Sequence, residues 1–129
     1  MHFASIRIIT EDVDRLTAFY ELLTGVPAVR PAPVFAEIRT AAGVLAIASP
    51  ATVAMLGADA PRPGSNASTI IEFLVADVDA EFARVRHALG SDAGDAVVLE
   101  PATMPWGNRS AILRDPEGTL VNLFSRPAA

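Results

Sequence analysis

A repeat constrains this chain more than any other feature. Asp12-Val13-Asp14 opens an apolar run at helical spacing, Val13, Leu16, Phe19, Tyr20 and Leu23, which Gly25 ends. Asp77-Val78-Asp79 opens a second run, Val78, Phe82, Val85 and Leu89, which Gly90 ends. Aspartate ahead of such a run can cap the free amides of a helix start, and glycine behind it can stop the helix. Asp12 and Asp77 lie 65 positions apart, as do Gly25 and Gly90, about half of the 129 residues. That spacing is what an internal duplication leaves behind.

Strand material surrounds each helix in the same order. Phe3 to Thr10 and Thr69 to Val75 precede the helices and are rich in β-branched or apolar residues. After the first helix come Val26 to Arg30, Val34 to Thr40 and Val44 to Ala48; after the second come Ala96 to Glu100, Arg109 to Arg114 and Thr119 to Phe124. The unit is βαβββ, twice, which predicts an α+β fold of duplicated modules. The first module spans 1–50 and the second 69–129, together one domain. The connector, 51–68, is rich in Ala, Pro and Gly; Ala51 to Leu56 has room for a helical turn before Pro61-Arg62-Pro63-Gly64.

Composition narrows the function classes. Hydrophobic content of 51% with 19% charged residues is that of a folded protein, and a net charge of -5 without a Lys/Arg cluster argues against nucleic acid. With no cysteine, disulfides, thiolate metal sites and cysteine nucleophiles are excluded. Neither a signal peptide nor an apolar span of ~20 residues stands at the N-terminus, so a cytoplasmic location away from membranes is expected. Of the two histidines, His2 lies at the terminus and His87 on the second helix, where a solvated face is expected.

The last module carries the residues of most interest. Asp115-Pro116-Glu117-Gly118 is a turn between two strands, since proline presets its second position and glycine relieves crowding at its fourth. The lone tryptophan, Trp106, stands beside Pro105 and Gly107 where the hairpin begins, and polar Asn122 interrupts Val121 and Leu123 where it ends. Trp106 reads either as a core or interface residue or as a stacking platform for a ligand.

Taken together, the duplicated βαβββ unit, the first helix ending in Phe19-Tyr20 and Leu22-Leu23-Thr24-Gly25, and Trp106-Gly107-Asn108-Arg109 followed by Asp115-Pro116-Glu117-Gly118 resemble the glyoxalase, bleomycin-resistance protein and extradiol dioxygenase superfamily, or vicinal oxygen chelate fold. The resemblance covers nearly the whole chain. It implies curved antiparallel sheets around a concave cavity, usually completed in a homodimer. It also implies four strand positions at which the superfamily's enzymes hold a divalent metal through His, Glu or Gln. Counted from the helix starts and the turn, those positions fall at Ser5, Ile70, Ala46 or Ile47, and Asn122. Two or more of them cannot bind a metal, whereas a catalytic divalent site normally has three good protein ligands.

Strand parity supplies the rest of the candidate site. If Ile6 and Ile8 pack under the first helix, Ser5 and Arg7 face the opposite way; if Ile71 and Phe73 pack under the second, Ile70 and Glu72 do. Arg7 and Glu72 are related by the repeat and are either a structural ion pair or anchors for a polar ligand. With Ala36 and Ile38 toward the helices, Phe35, Glu37 and Arg39 turn toward the concavity or form a solvated strand face. Trp106, Asn108, Asn122, Arg7, Glu72, Phe35, Glu37 and Arg39 are therefore the candidate ligand-binding residues, with no metal and no cofactor. The expected activity is binding of a small hydrophobic or planar organic ligand, in the manner of the superfamily's metal-free antibiotic-resistance members. The alternatives are a lyase, isomerase or dioxygenase with an irregular site drawn from Glu37, Glu72, Glu100 or Asn122, and an accessory domain whose own side chains fill the cavity.

Overall fold

In the computed structural model, which describes residues 1–128, the chain divides into two compact units, Met1–Ser65 and Asn66–Ala129. In the first unit, strand β1 (Ser5–Ile9) leads into helix α1 (Val13–Thr24), then β2 (Val29–Ala32), β3 (Phe35–Arg39) and β4 (Val44–Ala48). The second repeats the order with β5 (Ile70–Leu74), α2 (Val78–Leu89), a short α3 (Ala93–Ala96), β6 (Val97–Thr103), β7 (Arg109–Arg114) and β8 (Leu120–Ser125). The βαβββ grammar is thus observed in both halves. Among the described residues, no helix is long and apolar enough to cross a membrane.

The helix ends follow from the capping residues. Asp12 accepts from the Arg15 amide at 3.0 Å, and Asp77 accepts from the Ala80 amide at 3.0 Å. Gly25 adopts the left-handed conformation, φ 71°, that closes α1 and that side chains with a Cβ rarely take.

Each unit is one four-stranded sheet with its helix on one face, in the orders β1-β4-β3-β2 and β5-β8-β7-β6. Three strands of each sheet are antiparallel, as expected, but the first joins parallel to the last: Arg7 lies opposite Ala46, and Glu72 opposite Asn122. The path requires this, because the helix crossover returns the chain to the direction of its first strand and the two hairpins then reverse it twice, which leaves the last strand running with the first. Pro31 and Pro101 both sit in edge strands, β2 and β6, whose registers slip beside them. An edge strand tolerates a missing amide donor that a central strand would not.

Helix-facing rows form the cores. In the first sheet Ile38 opposes Leu45 and Ala36 opposes Ile47, all of them buried under Leu16, Tyr20 and Leu23 of α1. In the second, Leu113 opposes Val121 and Ala111 opposes Leu123, with Phe82 and Val85 of α2 on the same side. Burying one such side chain contributes about 1.5–3 kcal/mol. The parity expected for β3 is observed. For β1 it is only partly so: Ile8 is half-buried but Ile6 is 46% exposed, because α1 lies over β3 and β4 rather than over the edge strand.

The expected connector begins with two 3-10 turns, Pro50–Asp59, broken at Gly57. They are capped by Ser49, whose Oγ accepts from the Ala51 amide at 3.3 Å. Val53 from this segment packs with Ile9 and Ala48, and Phe35 and Ala60 close around them. One end of the helix-free face of the first sheet is therefore covered by its own chain.

Candidate functional site

Opposite its helix, each sheet has a second face, and pairing registers define the rows on it. In the first sheet the middle row is Arg7, Ala46, Glu37. In the second it is Glu72, Asn122, Ile112. Asn122 therefore stands where the first unit has Ala46, and Ile47, the other residue reached by counting, lies on the helix side. Each row holds two polar residues, but only the second has one on its central strand, at Asn122.

Asn122 is only 8% exposed and donates from Nδ2 to Glu72 Oε2 at 2.9 Å. The carboxylate accepts only, so this bond fixes which end of the amide faces it and turns the carbonyl the other way. That carbonyl, Oδ1, is buried without a hydrogen-bond partner. An unsatisfied buried acceptor costs about 1–3 kcal/mol, and Ala46 shows that the fold itself needs no polar group there. Glu72 is exposed, and its neighbours along the same face of β5, Ile70 and Leu74, are 51% and 57% exposed. The row is a carboxylate with an inward amide, set in an apolar surround.

The first unit uses its candidates differently. Glu37 accepts a 2.8 Å bond from Arg39 on the same face, and Arg7 is exposed on β1. Phe35, expected toward the concavity or its rim, lies on the helix-free face opposite Ala48, where it packs against the Ile9, Ala48 and Val53 cluster beneath the 3-10 segment. Of the expected residues, the structure brings Glu72 to Asn122 and Glu37 to Arg39, each pair within its own unit.

Trp106 stands at the tip of the β6–β7 hairpin, 70% exposed. The tip closes through Gly107 N to Met104 O at 2.8 Å and Met104 N to Asn108 O at 2.7 Å. Pro105 presets the second position, and Gly107 takes φ 99° with Pro127 directly against it, 3.1 Å from where a Cβ would stand. Asn108 thus serves the turn through its backbone. The following hairpin behaves as its sequence implied: Asp115 Oδ1 accepts from the Glu117 and Thr119 amides at 2.8 and 3.0 Å, which rigidifies the approach to β8 and to Asn122.

One pair of contacts was not anticipated. Asp14 and Asp79 hold the same place in the first turns of α1 and α2, and each binds an arginine from a strand: Arg30 of β2 at 2.6 Å and Arg109 of β7 at 2.7 Å. Arg109 is bidentate, reaching Asp79 Oδ2 through Nε at 2.8 Å, and also touches Thr103 Oγ1 at 3.3 Å. Its hydrogen bonds, helped by its charge, hold the Asp79 carboxyl below the usual carboxylate range against the opposing effect of desolvation; Asp79 likewise raises the guanidinium. The repeated aspartate was the signal in the sequence. Its strand partners lie outside the reach of any periodicity. Glu100 is similarly tied to Arg86 of α2, which takes it off the open row, and His2 and His87 are both exposed.

Residues 2–123 match the profile of the Glyoxalase/Bleomycin resistance protein/Dioxygenase superfamily. The chain belongs to that superfamily. Among solved structures it is similar to a glyoxalase/bleomycin resistance protein/dioxygenase from Nocardioides, at 19% identity and TM-score 0.78, covering 100% of this chain and 85% of that one. A family enzyme from Burkholderia phytofirmans PsJN follows at 18% identity and TM-score 0.76, covering 95% and 96%. A lactoylglutathione lyase from Agrobacterium tumefaciens gives 22% identity and TM-score 0.67, covering 96% and 92%. At such identities the likeness establishes the fold alone. A search of curated proteins found no match.

Membership raises the question of the divalent metal that the superfamily's enzymes hold. The residues do not fit it. Ala46 and Ile70 have no donor atom, Ser5 offers a neutral hydroxyl on an exposed strand, and Asn122 spends its amide nitrogen on Glu72. Among the described residues no three His, Asp or Glu side chains come together. A carbonyl beside a single carboxylate falls short of the three good ligands that such sites normally use.

Proposed function

We propose that this protein binds a small organic molecule without a metal, on the helix-free face of the second sheet, and that it sequesters this ligand rather than transforming it. The observation that carries the reading is the Glu72–Asn122 row: two polar side chains bonded to each other within exposed apolar neighbours, where the superfamily's metal enzymes would put a His, Glu or Gln ligand in the place of Asn122. Ligand sites are mostly apolar surfaces with a few placed polar groups, which is the composition of this face. Trp106 adds an exposed ring in the same unit, and stacking supplies about 0.5–1.5 kcal/mol beyond area burial. Micromolar affinity needs about -8 kcal/mol, so apolar burial along the sheet must provide most of it. Antibiotic or metabolite sequestration in a homodimer is the setting this reading favours.

Titration with a planar hydrophobic ligand tests it through Trp106, whose fluorescence should be quenched. Trp106→Ala should weaken the same ligand about ten- to a hundredfold by calorimetry; unchanged affinity would remove the indole from the site. Elemental analysis of protein purified without chelator bears on the other half of the reading. Stoichiometric Fe, Mn, Zn or Ni would replace it with a metal enzyme.

A further inference from the structure

We infer that the ligand anchored by Glu72 and Asn122 is a primary ammonium carried on an apolar body, with Glu72 supplying the charge and the Asn122 carbonyl taking a second N–H. The inference rests on the binding function proposed above and names the chemistry of its ligand. Its first support is that the one buried atom of the pair left without a hydrogen-bond partner is an acceptor, and that it lies beside a carboxylate. One N–H of Asn122 Nδ2 goes to Glu72 Oε2, while Asn122 Oδ1 has no partner and Glu72 is an exposed residue. A carboxylate or phosphate ligand would be repelled by the Glu72 carboxylate and would leave the Asn122 carbonyl unpaired. An alcohol could satisfy one of them, but an ammonium has three donors and the complementary charge.

A second support is the internal control that the duplication provides. At the equivalent place the first unit has Ala46, between Arg7 and Glu37, and its Glu37 is already bonded to Arg39. Among the described residues no arginine is bonded to Glu72; Arg114, exposed on the same face, is paired in register with Leu120 and so lies a row away and across β8. One unit has neutralised its acid internally, while the other leaves it beside an orphaned carbonyl. Ile70 and Leu74 flank Glu72 two residues away on either side, about 7 Å along the strand, which is the reach of an aryl or alkyl group attached to the ammonium. Asn122 Oδ1 is closed to bulk water. Glu72, being exposed, is the side chain that yields as the ammonium approaches, while Asn122 stays fixed on the central strand β8.

Calorimetry on the full chain near neutral pH, with naphthylethylammonium and with naphthylethanol as its neutral counterpart, tests this directly. The ammonium should bind at least about tenfold tighter than the alcohol, and Glu72→Gln should bring the two to parity. Asn122→Leu, which keeps the side-chain volume and removes the orphaned carbonyl, should weaken the ammonium severalfold while the melting temperature of the free chain holds or rises. A purely structural asparagine would give the reverse, a lower melting temperature with affinity unchanged, and that result overturns the inference. Equal binding of the two probes by the unsubstituted protein would also overturn it, while leaving the binding function standing. Binding of neither would remove both.

Discussion

The two units solve the same packing problem with the same parts and then diverge on the opposite face. On the helix side, Ile38 and Leu113 occupy equivalent places, both fully buried, and Asp14 and Asp79 each tie a helix start to a strand through arginine. On the other face Arg7, Ala46 and Glu37 in one row correspond to Glu72, Asn122 and Ile112 in the other. The difference teaches that the face under the helix is set by the fold, whereas the far face was free to change. Part of that face in the first unit is moreover covered by Val53 of the 3-10 segment.

If the cores are equivalent, Ile38→Ala and Leu113→Ala should each lower stability by about 2–5 kcal/mol in urea unfolding. A large cost at one and a trivial cost at the other would break the equivalence. Next in size, Ala46→Asn would copy the second row into the first. There an inward amide has no free acid to bond, because Glu37 is held by Arg39, and the expected loss is about 1–3 kcal/mol. No loss would mean that the first unit could have accommodated the polar group all along.

The hairpin tips give a smaller contrast, Val34 at 42% exposure in one unit and Trp106 at 70% in the other. Trp106→Ala should change stability by no more than about 0.5 kcal/mol, as surface substitutions usually do; a larger drop would make the indole structural. Smallest is the effect of the Asp79–Arg109 bond. Because the folded carboxyl is held below its unfolded value of ~3.9, the stabilisation is complete above that pH and is lost as pH falls through the lower folded value. Arg109→Leu should flatten that acid limb in thermal melts between neutral and strongly acidic pH. An unchanged limb would assign the acid sensitivity to other carboxylates.

The parts of this architecture legible in the sequence were those encoded locally. The caps Asp12 and Asp77, the stops Gly25 and Gly90, and the turn at Asp115 act through neighbouring backbone, so spacing alone exposes them. Strand parity placed Ala36 and Ile38 correctly, because a period of two survives wherever one face is buried. Ile6 escaped the rule because its exposure depends on where α1 lies, whereas Phe35 obeys it, opposite Ala48 on the helix-free face, and is covered there by another segment that parity does not reveal. The short α3 at Ala93–Ala96 has too few residues to show a period. At the candidate site, Asn122 was conspicuous as a polar residue in an apolar strand. Its bond to Glu72 was not, since that contact exists only through the pairing of β5 with β8.

That pairing also bears on how the protein acquires its shape. In both halves the strand made first is hydrogen-bonded to the strand made last, Ser5 beside Val44 and Ile70 beside Leu120. Contacts so distant in sequence slow folding, because a long loop must close before they form. Each half therefore leaves its leading strand waiting until its trailing strand has emerged from the ribosome. The second half, which carries Asn122 on that trailing strand, completes its candidate site only when β8 pairs with β5.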